Sequence, residues 1–251
     1  MSSPFDKFTK PEVPAAPPLM APAAVGPPKI NFDRQPAAPN LDQASTAVQP
    51  TPTQHTSGTI NLSKGKSINL SKGSGLMTAT CSWPPATDYD VYALVLFTDG
   101  RIETVSTFGI KGREQDYRAS TVDGSVRHLG DVRRSNATTA SETVEIRLTP
   151  DVVAVLPVVY SAQSNGTGSF RRYQVSMSID NGAGATVVID ASNASDNDRI
   201  YSCVPGIIIN AAHGVKIEAR EEYSRPDSEN RPVLNRDLSI AMDAGPLNAY
   251  K

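Results

Sequence analysis

From Thr59 onward, apolar and polar side chains alternate in short bursts. Ile60 and Leu62 flank one polar residue, and Ile68 and Leu70 repeat the arrangement eight residues later. The two units are Ile60-Asn-Leu-Ser-Lys-Gly-Lys-Ser67 and Ile68-Asn-Leu-Ser-Lys-Gly73. Alternation with a period of two is the mark of a half-buried strand, and Lys64-Gly65 and Lys72-Gly73 supply turns. A period of eight that occurs only twice predicts a strand–turn–strand pair, an edge hairpin, and not a solenoid.

The same pattern continues downstream. Val91 to Phe97 is apolar at every position, as in an interior strand covered on both faces. Asp99-Gly100 then predicts a turn, with residues 101–105 returning as a hairpin. Alternating or β-branched runs follow at 143–148, 152–160, 173–179, 185–190, 200–204, 207–210 and 215–220. Pro157 interrupts one of them, so it belongs at an edge, a bulge or a strand end. The sum is about ten short strands punctuated by Gly, Asn and Asp, with no helical window. That predicts an all-β fold, an antiparallel sandwich.

The flanks differ. Residues 1–56 hold 12 of the 20 prolines, amid alanine, threonine and glutamine. This stretch has no apolar period to bury and reads as a disordered, semi-extended tether. The sandwich domain is expected over 57–224. The polar, proline-broken segment 225–251 reads as a loop and extension, with one more strand or short helix over 233–242 and a fraying end.

Composition narrows the function classes. A net charge of −2 and a pI near 5.9 lack the basic excess of a nucleic-acid-binding domain. No apolar run of about 18 residues predicts a membrane-spanning helix. The first residues have neither the basic nor the apolar region of a signal peptide. Cys81 and Cys203 lie in apolar strands and read as two small buried hydrophobes.

Few residues suggest chemistry. Gly65-Lys66-Ser67 resembles the end of a phosphate loop, but that loop needs a glycine where Ile60 stands and a helix where another strand begins. His55, His128 and His213 are scattered and read as surface residues rather than zinc ligands. No nucleophile–base pair is evident, so an enzyme is not expected. The carboxylates are more informative. Asp88 and Asp90 stand two apart at a strand start, so they share one side of an extended chain. Asp123 to Asp131 and Glu142 are further acidic positions. An oxygen-rich cage for calcium, or simple Asx turns, would each use aspartates placed this way.

Several of these segments, in order, resemble the TerD-like tellurium-resistance family. Leu62-Ser-Lys-Gly65 with Leu70 is similar to the family's opening motif. Trp83 followed by Asp88-Tyr-Asp-Val-Tyr-Ala93 and an apolar strand is similar to its acidic motif. Asp123-Gly-Ser-Val-Arg-His-Leu-Gly-Asp131 is similar to its next one, and Phe170 and the strand after it resemble a later segment. The likeness covers about 59–222. It implies a non-catalytic, calcium-binding β-sandwich of the bacterial cytoplasm, working with protein partners in tellurite and chemical stress responses or in defence. The implied calcium ligands are Asp88, Asp90, Asp131 and Glu142. The chain departs from the family at Tyr92, Val132, Ala140 and Ser141, where acidic or amide residues are usual. Those departures weaken a calcium site and imply an alternative, a metal-free structural or scaffold protein of the same kind.

Overall fold

The computed structural model describes residues 57–73, 76–130, 138–161 and 169–249. The predicted tether over 1–56 lies outside them. Fourteen strands and no helix occur among the described residues: β1 (Gly58–Asn61), β2 (Ser67–Leu70), β3 (Met77–Trp83), β4 (Asp90–Phe97), β5 (Ile102–Val105), β6 (Val126–His128), β7 (Ala140–Ile146), β8 (Val152–Tyr160), β9 (Ser176–Asp180), β10 (Ala185–Asp190), β11 (Ser202–Ala211), β12 (Gly214–Tyr223), β13 (Val233–Leu234) and β14 (Ile240–Ala241).

Two six-stranded sheets form a sandwich. The first runs β1-β10-β9-β3-β7-β6 and the second β2-β12-β11-β8-β4-β5, while β13 and β14 make a separate ribbon. All pairings are antiparallel except that of β1 with β10. The predicted β4–β5 hairpin is present: the Phe97 N–H donates to Arg101 O at 2.9 Å, and Gly100 takes the positive φ of 80° that the turn requires.

The twin repeat does not form the expected hairpin. Ile60 stands in register with Val187 in the first sheet, whereas Ile68 stands in register with Ile217 in the second. The Lys64-Gly65 turn therefore crosses from one sheet to the other. Each unit satisfies its backbone groups on a longer strand, β10 or β12, and neither needs its twin. Ile60, Leu62 and Ile68 pack against the core between the sheets, and Leu70 is fully buried in it.

The sheets differ in how they are covered. In the first, β3 and β7 alternate buried and half-buried residues, because one face packs inward and the other meets solvent. In the second, every residue of β4 is buried. Val91, Ala93, Val95 and Phe97 face the first sheet, while Tyr92, Leu94 and Leu96 belong to a second apolar cluster on the opposite face. That outer cluster includes Ala154, Leu156, Val158 and Tyr160 of β8, Val204 and Ile207 of β11, and Leu234.

The cover of this second cluster is the segment read from sequence as a polar loop. Residues 225–249 fold over the outer face: the Arg231 N–H donates to Pro246 O at 2.8 Å, the Asn248 N–H to Glu229 O at 3.0 Å, and the Ala249 N–H to Gly109 O at 3.1 Å. Asn248 and Ala249 are buried, so the expected fraying does not occur there. An outer sheet face this apolar has to be covered, and the polar side chains of the extension leave its backbone and a few apolar residues free to do so.

Irregularities occur where the residue types demand them. Pro157 lies mid-strand, opposite the stretch where the β8–β11 register shifts, which realises the bulge alternative. Across β11 and β12 the register also slips between Val204 and Gly206. This slip switches the inward-facing parity of β11 from Cys203 to Ile208. It also leaves Glu221 in the left-handed region, at φ 46°.

Candidate functional site

The acidic positions were expected to gather at the entrance to β4. Glu142, on β7, points inward with Val144 and Ile146, and its side chain is fully buried. Its Oε2 accepts the Val91 N–H at 2.6 Å, which ties the start of β4 to the opposite sheet. The same oxygen lies 3.2 Å from His128 Nε2. The Gly130 N–H donates to His128 Nδ1 at 3.0 Å, which places the ring proton on Nε2, directed at Glu142. His128 is therefore not the surface residue expected from sequence. It is a buried orienting partner of Glu142.

Asp90 is buried too, but on the other side of the second sheet. Alternation along β4 puts it on the face of Tyr92 and Leu94, whereas Glu142 reaches the inner face through Val91. The β4 backbone thus stands between the two carboxylates. Asp88 is half-buried in the approach to β4, with the fully buried Tyr89 between it and Asp90. Asp131 lies outside the described residues. Among the described residues, no three His, Cys, Asp or Glu side chains are grouped as metal ligands. The oxygen of Glu142 that faces Val91 and His128 meets N–H donors, so it does not fit a calcium ligand.

Asp123 follows the Asx-turn alternative. Its Oδ1 accepts the Ser125 N–H at 3.0 Å and the Ser125 and Thr121 hydroxyls, each at 2.7 Å. Partial burial pushes its pKa up, but these hydrogen bonds outweigh that and hold the carboxyl below its ordinary value.

The residues that carried the family likeness serve the core. Trp83 meets Tyr89 edge to face at 5.6 Å, and Tyr89 lies 5.2 Å from Phe170, which in turn lies 6.0 Å from Tyr223. The Leu62-Ser-Lys-Gly65 motif serves Glu221. The Glu221 carboxylate accepts the Lys64 N–H at 3.0 Å, the Asn193 N–H at 3.1 Å and Asn193 Nδ2 at 2.8 Å, while Lys64 Nζ donates to Glu221 O at 2.9 Å. Ser67 opens a strand, which is incompatible with a phosphate loop.

Cys81 and Cys203 are free, buried thiols, as their apolar context predicted. Burial pushes both thiol pKa values up, and the neighbouring Glu142 carboxylate adds to the effect at Cys81. They have none of the thiolate character that a nucleophile needs.

Sequence reasoning missed His128, Glu221 and Arg231. The first two are buried polar residues whose side-chain partners sit on other elements, Glu142 for His128 and Lys64 and Asn193 for Glu221. Arg231 sits in a run that reads as solvated. The available signal was indirect: strands apolar on both faces need a cover, and residues after Tyr223 were the remaining candidates.

The fold and site together define, among the described residues, a twelve-stranded β-sandwich with a covered second face and a buried glutamate, Glu142, that pairs with His128 in its own sheet and bonds the Val91 N–H of the other. Compared with protein families and with curated proteins, the chain matches no family model and no curated protein. Among the described residues, no helix is long and apolar enough to cross a membrane.

Proposed function

We propose that this chain is a non-catalytic, TerD-like binding module of the bacterial cytoplasm. It acts through contacts with protein partners in a stress-response or defence assembly, and its fold is complete without metal. The observation that supports the metal-free reading is the engagement of Glu142 by the Val91 N–H and by His128. A carboxylate that holds two sheets together is a structural group. Both bonds fall on Oε2, so calcium could recruit that oxygen only by breaking them.

A second reading keeps calcium as a ligand. It is favoured by Asp88 and Asp90, which enter β4 two residues apart. One experiment separates the readings: calorimetric titration of calcium into the full chain, with melts in calcium and in chelator. The metal-free module gives no saturable heat and identical melts. Saturable heat that disappears in Asp88→Asn/Asp90→Asn assigns calcium instead. Cross-linking the tagged full chain in its native cells checks the partner half of the proposal. Recovery of the chain alone would count against it.

A further inference from the structure

The outer face of the second sheet carries a cavity that the acidic end does not involve. Its volume is about 480 Å³, and its lining includes Leu94, Ile102, Thr104, Leu234 and Arg231. It is bounded by β4 and β5, by the loop after β5 and by the C-terminal cover. Much of the wall is therefore apolar, and one buried side chain in it is a cation.

Arg231 is 7% exposed. Its acceptors are all neutral: Nε donates to Asn248 Oδ1 at 2.6 Å, and Nη2 donates to Gly109 O at 2.8 Å and Phe108 O at 3.2 Å. Its Cζ lies 4.9 Å from the Tyr92 ring centre and 5.2 Å from that of Phe108. Five donors sit on a guanidinium, and these three bonds leave the two N–H groups of Nη1 with no acceptor among the described residues. Burial lowers the pKa of Arg231, opposed only by Tyr92 and Tyr160, neither of which is a carboxylate. A buried charge held only by neutral groups is costly, and an anion entering beside it recovers that cost.

The remaining charges around the cavity have the same bias. Arg113 and Arg118 are exposed at its mouth, and the single acidic residue of the lining, Asp116, is paired with Arg113 at 3.1 Å. Ile102 and Tyr117, both exposed large apolar side chains, also line it. An apolar chamber with one fixed, orienting donor group is the usual composition of a small-molecule site.

We infer that this cavity binds a small amphipathic organic anion, its apolar body against Leu94, Ile102 and Leu234 and its anionic head on Nη1 of Arg231. A carboxylate head and a phosphate-ester head share this chemistry. The fixed guanidinium sets the selectivity. Arg231 is held in place by three bonds before any ligand arrives, so little ordering is needed on binding. A neutral ligand of the same shape gains only the apolar contact.

The test is calorimetric titration of the full chain with octanoate, octyl phosphate and octanol in parallel. Saturable one-to-one binding of at least one anion, with octanol weaker by about tenfold or more, is the expected result. No saturable heat with either anion, or octanol bound equally well, overturns the proposal. Arg231→Gln is expected to remove the preference for anion over alcohol. Because Arg231 also bonds the cover, a second variant is needed. Thr104→Trp, at a half-exposed edge position, fills the chamber and is expected to abolish binding while the melt stays at its wild-type midpoint. Undiminished binding in a folded Thr104→Trp protein overturns the assignment of the site.

Discussion

Glu142 Oε2 lies 2.6 Å from the Val91 nitrogen and so links β7 in one sheet to β4 in the other. This contact and the one to His128 are made by fully buried side chains, where an unsatisfied donor has no water to turn to. Glu142→Ala strands both donors and is expected to cost about 3 kcal/mol. Glu142→Gln can keep a carbonyl oxygen in the place of Oε2, where both donors converge, and loses only the charge on the acceptor, so it should cost roughly half as much. Urea denaturation of the full chain measures both. Equal stability of wild type and Glu142→Ala would show that the link contributes nothing.

Glu221 gives a backbone prediction. Its φ of 46° is costly for a residue with a Cβ, and its carboxylate collects three donors from Lys64 and Asn193. Glu221→Ala loses the carboxylate and keeps the strain. Glu221→Gly loses the carboxylate and relieves the strain, so it should be the more stable of the two by about 1 kcal/mol. Both should fall below wild type. The difference between their denaturation midpoints reads the strain directly.

At Gly206 the constraint is space. A Cβ there would meet Glu218 O at 2.7 Å and Ile189 Cδ1 at 2.7 Å, in the middle of the sandwich where neighbours cannot retreat. Gly206→Ala is expected to destabilise by about 1–3 kcal/mol through overpacking. A melting midpoint unchanged from wild type would mean the β11–β12 bulge relaxes freely.

Asp123 sets an acid dependence. Its folded pKa lies below the ordinary value because the Ser125 and Thr121 donors outweigh the effect of burial. A carboxyl shifted in this direction stabilises the fold above its unfolded pKa, near 3.9, and loses that contribution as pH falls through its lower folded value. Stability followed from pH 6 downward should therefore decline below about pH 4. Asp123→Asn should flatten part of that decline. The same slope in both proteins would remove Asp123 from the acid response.

The all-β class, the turn at Asp99-Gly100, the burial of the cysteines and the extents of β8 and β10 were all legible in the chain, because each depends on local alternation and turn chemistry. Three other features were not. The twin Ile-Asn-Leu units look alike, yet Ile60 and Ile68 close different sheets, because strand pairing is chosen by whichever edge is open and not by the unit itself. Asp88, Asp90 and Glu142 look like one ligand set, but strand parity sends Asp90 to the outer face and Glu142 to the interior. Arg231 looks solvated until the outer face of β4 and β8 is seen to need a cover. Periodicity is a property of a few consecutive residues, so sequence carries it. Which edge a strand finds, which side of a sheet a carboxylate reaches, and what shields an apolar face depend on residues far apart in the chain, from the 51 positions between Val91 and Glu142 to the longer span between Ile60 and Val187, and packing alone brings those together.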